Sequence, residues 1–328
     1  MVKYFYTTEN NGLIQLDTFK EKCWIDMINP TDVEVDAISK FTGIPEDSIK
    51  AALDEEERAR TDFDDGNSLF IVDCPIIEDG DSGDVYNTLP LAIIYNDKCV
   101  LTVCLKGNTV LKNFITGREK LDTRKPVDFI LRFMLGNAKR FLYCLKQIDR
   151  KSHRVQSELE RTMKNEHILQ LLDLENSLVY FSTSLNSNYR VHEKLSKVEV
   201  ISAREEYTDL YDDVVIESRQ AIEMCNIYKD ILTVAMDAYG SVISNNANDT
   251  MKRLTIATIL LAIPTMIAGF WGMNVFVPGQ TGQGSTLWFW LVVAGTAVLT
   301  AGVALFMTKF TGAFFRNKRR NKRDKKRD

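Results

Sequence analysis

Apolar and polar positions alternate in short runs over the first 120 residues and recur at helical steps after that. Runs rich in β-branched and aromatic residues at "KYFYTT" (3–8), "LIQLDTF" (13–19) and "CWIDMI" (23–28) each predict a strand. Pro30 stops the third. Thr31 and Glu34 then have the spacing of a capping box, hydroxyl to backbone N–H and carboxylate back, which opens a short helix ending at Gly43. "IPEDSIKAALDEEERAR" (44–60) predicts a second helix and "NSLFIVDCPI" (67–76) a strand. "LAIIYNDKCVLTVCL" (91–105) predicts a hairpin pivoting on Asn96 and Asp97. This mixed α/β region contains no glycine-rich phosphate loop and no nucleophile elbow.

From Lys125 the period changes. Ile130, Met134, Ala138, Phe141, Leu145 and Ile148 recur at steps of three and four, and a second helical stretch covers roughly 166–196. A third begins near Arg204. Within it Ala221, Cys225, Tyr228, Leu232, Ala235, Tyr239 and Val242 keep a 4-3-4-3 spacing, the mark of a coiled-coil seam. Nothing interrupts this run before Pro264, and Gly240 is its one weak point. The pattern predicts one continuous helix of about 70 residues, on the order of 100 Å long. Such a rod cannot bury its seam alone. It must pack on the preceding helices or on copies of itself, and self-association is favoured.

Two uncharged apolar stretches follow, 254–271 with 18 residues and 287–308 with 22. Both approach the ~20 residues that cross ~30 Å of hydrocarbon, and core helices of a soluble enzyme rarely stay uncharged on every face for so long. Neither lies near Met1, where nothing resembles a signal peptide. Lys252 and Arg253 precede the first stretch. The tail "RNKRRNKRDKKRD" (316–328), with nine basic and two acidic residues, follows the second. The connector "VFVPGQTGQGST" (275–286) carries no charge. The positive-inside rule therefore places both termini in the cytoplasm and exposes only the connector, with the protein in the plasma membrane. Beside a span, the basic tail is better explained by retention and attraction to anionic lipid than by nucleic-acid binding.

The formal net charge is −4, so removing the tail leaves −11 on residues 1–315. That acidity favours cationic ligands and disfavours nucleic acid. The six cysteines, Cys23, Cys74, Cys99, Cys104, Cys144 and Cys225, show no CxxC and read as reduced core residues. His153, His167 and His192 lie far apart on polar helical stretches and read as surface residues without zinc-ligand spacing.

Extending the seam's step into the first span gives Asn248, Met251, Leu254, Thr258, Ala262, Thr265, Gly269 and Gly272. Above Met251 and Leu254 this face is small or hydroxylated, and the opposite face carries Ile259, Ile263, Met266 and Phe270. Close helix packing with Thr hydroxyls bonded to backbone explains such a stripe. So does the wall of a pore, and periodicity alone does not choose between them. Asn274 favours the pore. A carboxamide at the membrane edge beside an unshielded glycine gives, in a symmetric oligomer, a ring of neutral oxygens. These accept hydrogen bonds from the water shell that Mg²⁺ gives up reluctantly, and they hold the ion weakly enough to release it.

"MKRLTIATILLAIPTMIAGFWGMN" (251–274) resembles the first membrane helix and Gly-Met-Asn signature of the CorA family of divalent-cation channels. "SNNANDTMKRLT" (244–255) resembles the stretch where that family's stalk enters the membrane, and 44–72 is similar to its cytoplasmic segment. The resemblance implies a funnel-shaped homopentamer with two spans per chain. Gly272, Met273 and Asn274 would form the selectivity ring. Met251 and Leu254, with Ala262 above them, would form an apolar gate, and Thr258 and Thr265 would line the pore. Asn248 would form a polar ring at the inner mouth. It also implies regulatory Mg²⁺ held between subunits by Asp79 of "EDGDSGD" (78–84) and Asp213, with neighbouring Asp212, of "EEYTDLYDD" (205–213). Ordinary solvated acidic patches are the alternative reading of both segments. The chain departs from the family's pattern in the small Ala262, in Pro264 about one place late, and in Gln280 standing near where many members have a carboxylate.

The expected fold class is an α+β cytoplasmic domain (1–124), a long-helix stalk domain (125–250), a pore helix (251–274), an external loop (275–286), a second transmembrane helix (287–309) and a basic tail (310–328). The expected function is passage of hydrated Mg²⁺, and also Co²⁺ or Ni²⁺, closed by internal Mg²⁺. The expected partners are lipid, divalent cations and further copies of the chain. A ZntB-like zinc transporter of the same architecture is one alternative. A membrane-anchored sensor or scaffold without transport is another. A membrane enzyme lacks any nucleophile–base constellation.

Overall fold

The computed structural model describes residues 1–9, 12–64, 66–80, 83–162, 164–195, 204–273 and 285–324. The chain divides into two compact units, Met1–Asp237 and Ala238–Asp328.

In the first unit, strands β1 (Val2–Thr7), β2 (Leu13–Leu16), β3 (Cys23–Ile28), β4 (Arg60–Asp64), β5 (Asn67–Gly80), β6 (Gly83–Tyr95) and β7 (Cys99–Cys104) form one sheet. Their order is β2-β1-β3-β7-β6-β5-β4. Every pairing is antiparallel except β3 with β7, where Cys23 stands opposite Cys99 and Ile28 opposite Cys104. All six residues of β7 are buried, as befits a central strand covered on both faces.

Helices α1 (Asp32–Thr42) and α2 (Glu46–Lys50), with a 3₁₀ turn at Ala51–Leu53, supply Val35, Ile38, Ile49 and Ala52 to the core on one face of the sheet. The capping box opens α1 as expected, with Glu34 N–H donating to Thr31 Oγ1 and Thr31 N–H donating to Glu34 Oε2. Gly43 closes that helix at φ 79°, a conformation in which a Cβ is strained. The second helix is shorter than expected. It stops by Leu53, and Arg60–Asp64 is instead β4, paired with β5.

Helices α3 (Thr109–Ile115), α4 (Pro126–Thr162) and α5 (Asn165–Leu195) lie on the sheet's other side. Trp24, Phe70, Phe114, Phe129 and Phe133 share this core. Ile130, Met134, Ala138, Phe141, Leu145 and Ile148 are all buried on α4. Gly136 is required there, because a Cβ would sit 2.6 Å from Val110 Cγ1 of α3.

Helix α6 runs unbroken from Glu205 to Trp271 and α7 from Ser285 to Asp324. The lower seam of α6 is covered within the chain: Ala221, Cys225 and Leu232 are buried. Cys225 Sγ donates to the Leu178 carbonyl of α5 (3.3 Å), and Thr233 Oγ1 donates to Glu175 Oε1 (2.8 Å). Self-association is therefore not what buries this part of the seam; α5 does. All six cysteines are buried and free, as expected.

The histidine expectation needs correction. His153 is exposed, but His167 and His192 are buried. His192 lies on the face of α5 turned to α6, where its Nδ1 is 3.2 Å from Ser218 Oγ and its carbonyl accepts from Tyr211 Oη. Burial lowers the His192 pKa to about 4. Asp73, on β5, is held by its backbone: its N–H donates to Asn188 Oδ1, and its carbonyl accepts from Asn188 and Asn137 Nδ2, each at 2.8 Å. Burial pushes its carboxyl up to about 6, against a hydrogen bond from Ser184.

These two shifts give opposite slopes over nearly the same pH window. A base with a depressed folded pKa contributes stability above its unfolded value of 6.5, and that stability is lost as pH falls toward 4. An acid with a raised folded pKa is at no disadvantage below its unfolded 3.8, and it costs more as pH climbs through 6. Asp73→Asn removes only the second. It is expected to stabilise the purified chain at about pH 7.5 by up to about 3 kcal/mol, the gain vanishing near pH 4. Unfolding temperatures across pH check this, and a gain independent of pH would reject it.

Candidate ion-path helix and its relatives

The second unit holds the upper part of α6 and all of α7. Both contain segments long and apolar enough to cross a membrane; on α7 that segment is Leu287–Met307. The α6 segment has two distinct sides. Ile256, Ile259, Leu260, Ile263, Ile267 and Trp271 are half-buried, and Met266 and Phe270, expected on the same bulky face, are exposed. Part of that side borders a groove of about 760 Å³ shared with α7, where Pro264, Ile267 and Trp271 face Phe289, Val293 and Ala297. Thr296 and Thr300 also line it, and each hydroxyl donates to its own helix at the i−4 carbonyl (2.7 and 2.8 Å), so the groove is apolar.

The other side of α6 is uncovered. Met251 is 65% and Leu254 63% exposed. Thr258, Ala262, Thr265, Gly269 and Gly272 are exposed above them, and Asn248 below. At 100° per residue these eight positions share one face about 120° wide. A Cβ at Gly269 would meet nothing within 4 Å. Thr258 donates to the Leu254 carbonyl (2.9 Å) and Thr265 to the Leu261 carbonyl (2.8 Å). Each hydroxyl thereby spends its hydrogen inward and keeps its lone pairs outward. Such a surface accepts hydrogen bonds from water around a cation and offers few donors to an anion.

At the top of the helix Gly272 N–H reaches the Ala268 carbonyl (2.9 Å) and Met273 N–H the Phe270 carbonyl (3.4 Å). A Cβ on Gly272 would stand 3.3 Å from the Ala268 oxygen, so a larger residue presses on the last turn. Met273 is exposed, and Asn274 lies outside the described residues. At the lower end Lys252 pairs with Asp249 at 3.5 Å, and Arg253 beside it is exposed.

Of the expected regulatory carboxylates, Asp212 and Asp213 are exposed on α6 in the first unit. Asp79 stands opposite Asp84 in the β5–β6 pairing, and its side chain is outside the described residues. Among the described residues, no group of three or more His, Cys, Asp or Glu side chains could hold a metal within one chain.

Residues 19–309 match the family of CorA-like Mg²⁺ transporter proteins. This chain belongs to that family. The CorA family is one of ion transporters, and the chain is accordingly a transporter-family protein rather than an enzyme. Over 286 residues the chain is 28% identical to the cobalt/magnesium transport protein CorA of Methanocaldococcus jannaschii, covering 84% of this chain and 86% of that one. Against the protein of the same name from Thermotoga maritima it is 26% identical over 283 residues, 82% and 78% of the two chains. The complete structure of the M. jannaschii CorA magnesium transporter superposes with a TM-score of 0.76 at 23% identity, over 94% of this chain and 96% of that one. The soluble α/β domain, the long helix and the terminal helix thus follow the CorA fold. The cytoplasmic domain of ZntB from Vibrio parahaemolyticus is more distant, with a TM-score of 0.57 at 10% identity over 75% of this chain and 98% of that one.

Proposed function

We propose that the chain is the subunit of a homopentameric plasma-membrane channel that passes hydrated Mg²⁺, and also Co²⁺ or Ni²⁺, inward along the electrochemical gradient. Both termini are cytoplasmic. The observation that carries this reading is the two-sidedness of α6 above Met251: an uncovered stripe of small and hydroxyl residues, with α7 against the bulky side. Close packing between two rods would use the stripe equally well, but it would not call for an amide at position 274 beside Gly272. Five copies would set Met251, Leu254 and Ala262 as apolar rings that close by dewetting. Thr258 and Thr265 would be hydroxyl rings, Asn248 the inner polar ring and Gly272–Met273–Asn274 the outer filter. No energy source is required beyond the membrane potential, which acts on each of the ion's two charges.

The regulatory part rests on charge. Asp79 from one subunit and Asp213, with Asp212 beside it, from the next would repel in a ring of acidic subunits unless a divalent ion bridged them. Internal Mg²⁺ would then favour the closed arrangement by its difference in affinity for the two states.

Flux into proteoliposomes compares Mg²⁺, Co²⁺ and Zn²⁺ with and without a proton gradient. Gradient-independent Mg²⁺ entry is expected. Proton-coupled Zn²⁺ entry would replace this reading with the zinc transporter, and absence of any flux would leave a membrane-anchored scaffold. In the same vesicles Asp213→Lys is expected to keep conducting at internal Mg²⁺ levels that close the unsubstituted channel. An unchanged dose response would reject the regulatory assignment.

A further inference from the structure

The two parallel strands at the centre of the sheet each begin with a cysteine. Cys23 opens β3, Cys99 opens β7, and the two are register partners in the parallel pairing. Partners in a ladder point their side chains to the same face. Both thiols accordingly belong to the core that α1 and α2 cover, at 0% and 2% exposure. The turns that lead into them are pinned together, because Lys22, at φ 60°, donates its N–H to the Lys98 carbonyl (2.5 Å). Backbone, not a loose loop, sets the two cysteines side by side.

Neither thiol is spent on a strong partner. Cys99 Sγ makes one long contact, 3.9 Å to Asn96 Oδ1, and that oxygen already accepts from the N–H groups of Lys98 and Cys99. The Cys23 sulfur is approached by backbone hydrogen-bond donors at Lys20 and at Cys23 itself, which favour a thiolate.

Spacing then selects the chemistry. Neighbouring strands lie ~4.8 Å apart. A disulfide brings its Cβ atoms to ~3.8 Å, which paired strands reach only by moving. Two metal–sulfur bonds of ~2.3 Å placed in line span ~4.6 Å, which the ladder supplies as it stands. Structural zinc takes four ligands, and among the described residues no group of three His, Cys, Asp or Glu side chains could hold it. Mg²⁺ takes oxygen ligands. Two soft sulfurs in line suit Cu(I).

We infer that Cys23 and Cys99 form a two-coordinate site for a soft monovalent cation of the Cu(I) class. Each thiol gives up its proton to solvent, two sulfur–copper bonds form, and the product carries one negative charge. Burial keeps both sulfurs protonated until the ion arrives, raising the Cys23 pKa and taking that of Cys99 to about 12. Lys22 and Lys98, which immediately precede the two cysteines, answer the new charge, and Lys98 already pulls the Cys99 pKa down against burial. The site lies in the first unit and does not depend on the transport reading.

The full chain in detergent, reduced and free of oxygen, is titrated into the coloured bis-bicinchoninate complex of Cu(I). Loss of one equivalent of colour per chain is expected, and excess Mg²⁺ should not restore it. Cys23→Ser and Cys99→Ser should each weaken binding about a hundredfold or more, since one sulfur cannot hold the ion alone. Cys74→Ser, in the core on the sheet's other face, should leave the affinity as it was. Copper-edge X-ray absorption should show two sulfur neighbours. Cys99→Ala, which removes the ligand without adding a polar group, decides the matter if the serine variants do not fold. Colour that persists, affinity unchanged in the folded variants, or a third ligand on the copper overturns the site.

Discussion

Asn274→Ala is expected to reduce Mg²⁺ entry to about a hundredth or less while the oligomer elutes unchanged. A hydrogen bond to a charged partner is worth ~1.5–3 kcal/mol, and each 1.4 kcal/mol is a factor of ten. A symmetric ring loses all its amides at once, so even a fraction of that sum accounts for the fall. Alanine also removes the only polar side chain in "GMN" (272–274), so the approaching ion meets nothing that holds its water shell. Mg²⁺ sheds that shell reluctantly, and the entry step becomes limiting. Assembly should survive, because the half-buried side of α6 and the groove with α7 lie below position 274 and do not involve it. Isotope or fluorescent-indicator uptake, paired with size-exclusion elution, measures both parts. Normal uptake in an assembled variant would remove the filter from the proposed path and the proposal with it.

The part of this molecule that local chemistry decides was legible in the sequence. Thr31 and Glu34 specify a helix start with two reciprocal hydrogen bonds inside four residues, and the structure contains both. The Asn96–Asp97 pivot behaves alike, since Asn96 Oδ1 accepts from the N–H groups of Lys98 and Cys99 and closes the β6–β7 turn. Errors arise where a distant partner outweighs local preference. The run "DEEERAR" (54–60) has helical composition, yet β5 offers an unpaired edge and Arg60–Asp64 pairs with it. Residues 83–88 have no clear alternation, yet they extend β6 because β5 continues opposite them as far as Gly80. His192 looked like a surface residue because the 4-3-4-3 step marks which α6 residues want cover and says nothing about what supplies it; α5 does. The candidate site divides in the same manner. The stripe from Met251 to Gly272 follows from helical period alone, whereas the position of α7 on the other side is a tertiary fact that no single-helix pattern contains.

That tertiary fact bears on the gate. Leu254→Asn is expected to raise Mg²⁺ leak at saturating internal Mg²⁺ by about tenfold or more. Met251 and Leu254 are exposed on one face, one turn apart, and below them the stripe passes to Asn248. If that face lines an axis, two adjacent apolar rings make a short constriction from which water withdraws, and an ion that must keep its shell cannot follow. The barrier depends on apolar length. Small Ala262, two turns above Leu254, and hydroxylated Thr258 between them add little, so most of the barrier rests on two residues. An amide at 254 lets water bridge the gap, and the remaining Met251 ring is too thin to stay dry. Folding should be spared, because Leu254 is uncovered within the chain and its substitution opens no cavity in the subunit. The control is Phe270→Asn, equally exposed on the same helix but on its bulky side, about 160° around from Leu254. There the leak should stay at the level of the unsubstituted channel. Equal leak from both variants would mean that position on the face does not matter, and the stripe would then be a packing surface instead of a wall.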